Sequence, residues 1–280
     1  MSNSLSIVWD PSIGIDLGFF TIRYYSLMFL VAFVAGWYLM KAIFVNENEP
    51  LEKLDKLLIY MVVATLLGAR LGHVLFYQSE LFLEDPLSVF LPFQFVPTFK
   101  FTGFAGLASH GATIGIAVAL FYFAKKVDKR HPAWIFDRVV IPISFGAIFV
   151  RLGNFLNSEI IGKPTNSDYG VVFKKLGEDF ARHPAQLYEA GSYLILFLIL
   201  YYLYWKTPIT KRQGILFGIF FTLMWSIRFV VEYFKEPQVA ERADWIINTG
   251  QILSIPMILV GLVVIFLANQ NYKKQSYEAA

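Results

Sequence analysis

The sequence predicts an all-α, polytopic membrane bundle of seven transmembrane helices, and three observations carry that prediction. Hydrophobic residues fill 56% of the 280 positions and charged residues only 16%, whereas about a quarter of a water-soluble domain is charged. Apolar runs of spanning length recur seven times along the chain. Backbone amides in hydrocarbon must bond within their own segment, and barrel strands would be short and strictly alternating, so these runs are helices. A water-soluble enzyme is excluded.

Residues 1–21 hold no Lys or Arg and no continuous apolar core, unlike a cleavable leader, so the first span acts as its own insertion signal. The spans cover 24–44, 57–77, 106–124, 139–156, 187–205, 214–234 and 250–268. An odd number of spans puts the termini on opposite faces. The segments 45–56, 125–138, 206–213 and 269–280 carry twelve Lys and Arg, against seven in the alternate set. The positive-inside rule therefore places the N-terminus outside and the C-terminus in the cytoplasm. The whole chain, 1–280, reads as a single integral membrane domain with no internal repeat.

Two connections differ from ordinary loops. Residues 79–105 intersperse Phe82, Phe90, Phe93, Phe95, Phe99, Phe101 and Phe104 with Pro86, Pro92 and Pro97. Such a segment can neither span nor dissolve, and it fits an interfacial arm on the outer leaflet or, equally, a packed cap over the bundle. Residues 157–186, the longest break between spans, mix Lys163, Lys174, Lys175 and Arg182 with four acids and read as a small external head.

Ionisable groups within spans are costly and tend to mark function. At ~1.5 Å per residue, Arg70, Arg151 and Arg228 lie roughly 20, 18 and 21 Å from the cytoplasmic ends of their spans, in the outer half. Tyr25, His110 and Glu189 enter from the other direction on first turns. Singly, each has an ordinary structural reading: Arg228 and Glu232 as an ion pair four residues apart, Arg70 snorkelling, His110 as a buried neutral imidazole. Three arginines at one depth, with Asn154 and Asn157 following Arg151, are harder to treat so, because guanidinium groups cannot neutralise one another. Glu159, Glu189 and Glu232 at that level are carboxylates needing partners of their own. A guanidinium fork matches phosphate oxygens and stays charged in a low dielectric. The residues alone point to a site for an anionic headgroup, open to the outer leaflet.

The chain contains no cysteine, which excludes disulfides, thiolate metal sites and an enzyme thioester. Carboxylates and histidines are too dispersed for metal-ligand spacing, no nucleotide loop is present, and no basic stripe suggests nucleic acid. No cofactor is expected. A transporter for an anionic solute would also gather arginines, but with an inverted repeat and a midplane site. A lipid-binding scaffold would not need asparagines and a histidine beside them.

The run VRLGNFLNSEIIGKPT (150–165) followed by RHPAQLYEA (182–190) resembles the signature of the prolipoprotein diacylglyceryl transferase family. GARLGHVLFY (68–77), ASHGA (108–112), RFVVEYFKEP (228–237) and GQILSIPM (250–257) resemble further motifs of that family, in the same order. Ala108 and Ala112 stand where serine and glycine are usual, Trp225 where a different residue is expected, and Lys235 where arginine is more common. These departures bear on substrate preference more than on the reaction.

The resemblance implies transfer of the sn-1,2-diacylglyceryl group of phosphatidylglycerol to the thiol of the lipobox cysteine in a prolipoprotein signal peptide. Such an enzyme works as a multi-pass protein of the bacterial cytoplasmic (inner) membrane, here expected as a monomer. On that reading Arg151 and Arg228 hold the phosphate, Asn154 and Asn157 donate to glycerol or phosphate oxygens, and His110 is the candidate base. Tyr25, Gln186, Tyr188, Glu189 and Glu232 orient the arginines and line the pocket, Glu159 anchors the head, and Arg70 contacts lipid or packs between helices.

Overall fold

The computed structural model describes residues 7–19, 21–102, 106–236 and 247–278. Gly103 and Phe104 of the aromatic arm, Pro237 at the end of its motif, Arg242 of the charge count and the extreme termini lie outside the described residues. Helices dominate: α1 (Tyr24–Asn46), α2 (Leu51–Tyr77), α3 (Leu81–Glu84), α4 (Pro86–Phe90), α5 (Ser109–Phe123), α6 (Pro132–Asn157), α7 (Ala185–Lys206), α8 (Ile215–Val231) and α9 (Thr249–Glu278). Among the described residues six of them, α1, α2, α6, α7, α9 and α8 with its final 3-10 turn, are long and apolar enough to cross a membrane. The chain is a helical, multi-pass membrane protein. Outward positions such as Leu30, Ile59, Val118, Ile195 and Phe266 are exposed, while Arg138, Gln186, Glu189 and Lys235 are buried. That is the inverse of a water-soluble surface and the distribution lipid demands.

The third apolar run differs from the expectation. Its helix, α5, has 15 residues and continues into a π-helical turn, Ala124–Asp128. The run begins at residue 106, but Gly106 takes φ +69° and Ala108 is extended, so helical hydrogen bonding starts only at Ser109. The left-handed conformation suits glycine. A side chain at Gly106 would also strike the ring of His73.

The chain divides into two compact units, Met1–Met40 with Phe136–Ala280, and Lys41–Ile135. In the first, strand β1 (Ile7–Trp9) pairs in parallel with β6 (Val171–Phe173), and β2 (Gly14–Asp16) pairs antiparallel with β3 (Thr21–Arg23). Trp9 stacks on Phe155 at 4.4 Å and donates its indole N–H to the Phe155 carbonyl. With Val171, Phe173 and Ile161 it forms a small core beside the end of α6. Helices α8 and α9 cross at small residues: a Cβ on Gly261 would lie 2.7 Å from the Thr222 amide, and one on Gly218 would lie 3.1 Å from the Gly261 carbonyl. Close approach of this kind supplies van der Waals contact where no hydrophobic gradient separates helix from lipid. Asp137, fully buried on α6, accepts the Gly214 and Phe217 amides at 2.7 and 2.9 Å. It caps the start of α8 from a distant helix, satisfying donors that the helix itself leaves open.

In the second unit α2 and α5 cross on glycines, and the Ala108 amide donates to the Ala69 carbonyl at 2.9 Å. Between them α3, α4 and a hairpin of β4 (Phe93–Gln94) and β5 (Lys100–Phe101) form the aromatic segment. Phe93 packs against Phe99 and Phe101, each at 5.4 Å. The buried Asp85 carboxylate receives the Phe95 and Val96 amides.

At the junction of α1 and α2, Lys53 bridges Glu49 and Asp128, Arg130 pairs with Glu49, and Trp134 donates to Glu47. Burial alone would push the Glu49 carboxyl up, but the hydrogen bonds from Arg130 and Lys53 outweigh it and hold Glu49 below the usual carboxylate range. Its contribution to stability is therefore complete above the unfolded-state value and is lost as pH falls through the lower folded one. Thermal melting from neutral pH to about pH 3 should show this loss, and Glu49→Gln should flatten that part of the profile.

Candidate active site

Five helix ends meet at one end of the first unit: the start of α1, the end of α6, the start of α7, the end of α8 and the start of α9. Arg151, Asn154 and Asn157 follow one another at a spacing of three along the last turns of α6, which places them on one face. Arg151 Nη1 donates to Asn154 Oδ1 at 3.1 Å. Asn154 and Asn157 in turn donate to the two Glu159 carboxylate oxygens at 3.2 and 2.9 Å. Glu159 lies between Ser158 and Ile160, whose φ values of 58° and 55° turn the chain sharply after the helix. The fully buried Gln186 of α7 holds that turn by donating to the Glu159 carbonyl at 2.6 Å. Tyr25, on the first turn of α1, is coupled to Asn154, Glu159 and Arg151. Its ring lies against Gly153, where a Cβ would come within 2.8 Å of it.

Glu189, 0% exposed on α7, is the hub of the remaining contacts. One oxygen is 2.8 Å from Arg151 Nε and the other accepts Lys235 Nζ at 2.8 Å. Lys235, also buried, lies 3.7 Å from the Glu232 carboxylate. Glu232 rests against Gly250 of α9, where a Cβ would be within 2.9 Å of Glu232 Cγ. The start of α9 is closed by a capping exchange in which Asn248 and Gln251 accept each other's amide hydrogens at 2.9 and 3.0 Å. Asn248 and Gln251 also donate to the Glu232 and Phe229 carbonyls. Tyr188 meets His183 Nδ1 at 3.1 Å, and both rings pack on Phe234.

Arg228 sits with its guanidinium carbon 5.6 Å from the centroid of the Trp225 ring, and its Nε is buried with no hydrogen-bond partner among the described residues. The ion pairs of the described residues join Glu232 to Lys235 rather than to Arg228. Tyr193, one turn beyond Glu189 and buried, is coupled electrostatically to Glu189, Arg151 and Arg228. Arg151 and Lys235 pair with Glu189 and Glu232, and with Glu159 and the nearby Arg228 the group holds three cations and three carboxylates, a cluster of zero formal charge. Among the described residues Arg228 Nε lacks an acceptor, and the buried Glu189 Oε2 and Glu232 Oε2 accept no hydrogen bond.

The two other candidate residues belong to the second unit. Arg70 is buried on α2 and donates from Nη2 to the Ser88 carbonyl of α4 at 2.9 Å. His110 is exposed on the first turn of α5.

The family model described as prolipoprotein diacylglyceryl transferase matches residues 12–267. The chain belongs to the prolipoprotein diacylglyceryl transferase family. It is 41% identical over 92% of its length to a phosphatidylglycerol--prolipoprotein diacylglyceryl transferase of Tolumonas auensis, covering 95% of that protein. Proteins of the same name from Chloroherpeton thalassium and Bacteroides fragilis are each 37% identical. The first alignment covers 99% of both chains, and the second 94% of this chain and 95% of its relative.

In this transferase the cluster sets cations beside buried carboxylates, in a chain without a thiol of its own. Sequence reasoning named most of its members but passed over Lys235 and Tyr193 as site residues. Both were marked by helical spacing, Lys235 three residues after Glu232 and Tyr193 four after Glu189.

Proposed function

We propose that this transferase moves the diacylglyceryl group of phosphatidylglycerol to the lipobox cysteine thiol of a prolipoprotein, releasing glycerol phosphate, in the first step of bacterial lipoprotein maturation. The thiolate sulfur attacks the glycerol carbon that carries the phosphate ester. The carbon–oxygen bond breaks as the carbon–sulfur bond forms, and the electron pair leaves on glycerol phosphate. Arg151 and Arg228 hold the phosphate and stabilise its growing charge. Asn154 and Asn157 donate to its oxygens or to the glycerol, and His110 takes the thiol proton. Tyr25, Gln186, Tyr188, Glu189 and Glu232 orient the arginines and line the pocket, Glu159 anchors the head, and Arg70 serves lipid contact or helix packing. The observation that most supports this reading is the buried Arg228 Nε without an acceptor among the described residues, because a buried donor left unmatched is costly unless a ligand completes it.

In this reading the protein is a monomer forming one integral domain of the inner membrane. It has seven spans, α5 included, with its N-terminus outside and C-terminus cytoplasmic. The segment 79–105 lies as an arm on the outer leaflet and 157–186 is the external head. Purified protein in phosphatidylglycerol vesicles, given a lipobox peptide, should yield a thioether-linked peptide and free glycerol phosphate. A peptide with serine for cysteine should yield neither, and absence of thioether product with the cysteine peptide would refute the proposal.

His110→Gln keeps a polar side chain but cannot accept the proton, so turnover should fall by about 10²-fold. Most of the activity surviving from about pH 6 to about pH 9 would remove His110 from that role.

A further inference from the structure

We infer that Lys235 is a positioning residue for the transfer reaction, acting through Glu189 to leave Arg151 charged and correctly aimed. The inference rests on the phosphate-holding role proposed above for Arg151. Glu189 has no solvent exposure, and its two oxygens are divided between Arg151 Nε and Lys235 Nζ, each at 2.8 Å. A buried carboxylate with a single cationic partner places its whole charge on that partner, drawing the guanidinium toward it and cancelling the field a substrate phosphate would meet. With two partners, the carboxylate holds Arg151 at Nε by charge alone, while Lys235 donates the hydrogen bond and shares the neutralisation. The terminal nitrogens of Arg151 then remain directed elsewhere, and Nη1 reaches Asn154.

The backbone shows that this lysine is held for the purpose. Lys235 pairs with Gly162 in an antiparallel bridge, the Lys163 amide donates to the Phe234 carbonyl at 2.8 Å, and the Glu236 amide donates to the Ile161 carbonyl. Arg182 clasps the neighbouring Glu236 at 2.7 Å as well as Glu178. The segment is therefore pinned from both sides of Lys235, and the side chain turns inward, 3% exposed, rather than out to water. Charge completes the argument. Arg151, Arg228 and Lys235 balance Glu159, Glu189 and Glu232, so loss of Lys235 leaves the cluster net negative where an anionic headgroup must bind.

The test compares Lys235→Met, Lys235→Arg, Glu189→Gln and the Glu189→Gln/Lys235→Met double variant in phosphatidylglycerol vesicles with a lipobox peptide. It reads kcat and KM for each substrate, with melting temperature as the measure of folding. Lys235→Met should lower kcat/KM for phosphatidylglycerol on the order of 100-fold, with the peptide KM nearly unchanged. Lys235→Arg should keep more than about a tenth of the activity, since it restores the charge. In the Glu189→Gln background, where the Glu189 charge is gone, adding Lys235→Met should cost less than about threefold.

A purely structural lysine predicts equal losses in both backgrounds and no rescue by arginine, and either result overturns the inference. So does a folded Lys235→Met enzyme within about threefold of wild type. Should Lys235→Met fail to fold, Lys235→Arg decides alone, above or below that tenth. A wild-type protein that forms no thioether would instead overturn the functional reading, and the inference with it.

Discussion

Arg151→Lys is expected to lower turnover by about 10²- to 10³-fold while the protein remains folded. Lysine keeps the charge, so the long-range field at the site survives and the loss isolates the shape of the guanidinium group. Arg151 sets Nε against Glu189 as an ion pair and spends Nη1 on a hydrogen bond to Asn154, contacts made in different directions from one planar group. A single ammonium cannot reproduce both and still face a phosphate. Arg228→Lys should behave similarly for another reason, since it removes the buried Nε that has no acceptor among the described residues. The measurement is initial-rate kinetics with phosphatidylglycerol varied. Near-normal kcat in both lysine variants would mean that only net charge matters, and bidentate recognition would have to be abandoned.

Gly111→Val is expected to abolish stable folding of the second unit rather than merely slow the enzyme. A Cβ on Gly111 would run into the Gly68 carbonyl oxygen and lie 2.7 Å from the Gly72 Cα, while a Cβ on Gly68 would meet the Gly111 carbonyl. The obstacles are backbone atoms on both helices, so no side-chain rotation can make room. Separating α2 and α5 also breaks the Ala108 amide to Ala69 carbonyl bond. Overpacking of this kind costs about 3 kcal/mol or more. Detergent-solubilised protein should melt many degrees lower or be degraded in cells. A variant melting within about 2 °C of wild type would contradict the close crossing.

Much of the fold was written in hydropathy alone, because lipid imposes a single secondary structure on any segment long enough to span it. Arg151, Asn154 and Asn157 were legible for a similar reason: a fixed helical spacing forces them onto one face. Contacts that depend on long-range geometry were not legible. Asp137 caps a helix through the amide of Gly214, seventy-seven residues later, and nothing near Asp137 in sequence announces it. One partner of Arg70 is a backbone carbonyl in α4, a group every residue possesses. Lys235 looked like a loop charge because the antiparallel bridge that turns it inward joins segments far apart in the chain. The start of α5 was misplaced by three residues because hydropathy does not register the left-handed conformation of Gly106.

The pairing of residues 7–9 with residues 171–173 imposes a parity rule on insertion. Strands that share hydrogen bonds must emerge into the same aqueous compartment, so the chain between them traverses the bilayer an even number of times. Of the described helices in that interval, α1, α2 and α6 are long and apolar enough to cross a membrane, which makes three. An even total calls for one more passage, the one proposed above for α5 with its π-helical extension. On the seven-span topology proposed for this transferase, α5 is the passage that keeps these two short strands on one side of the membrane.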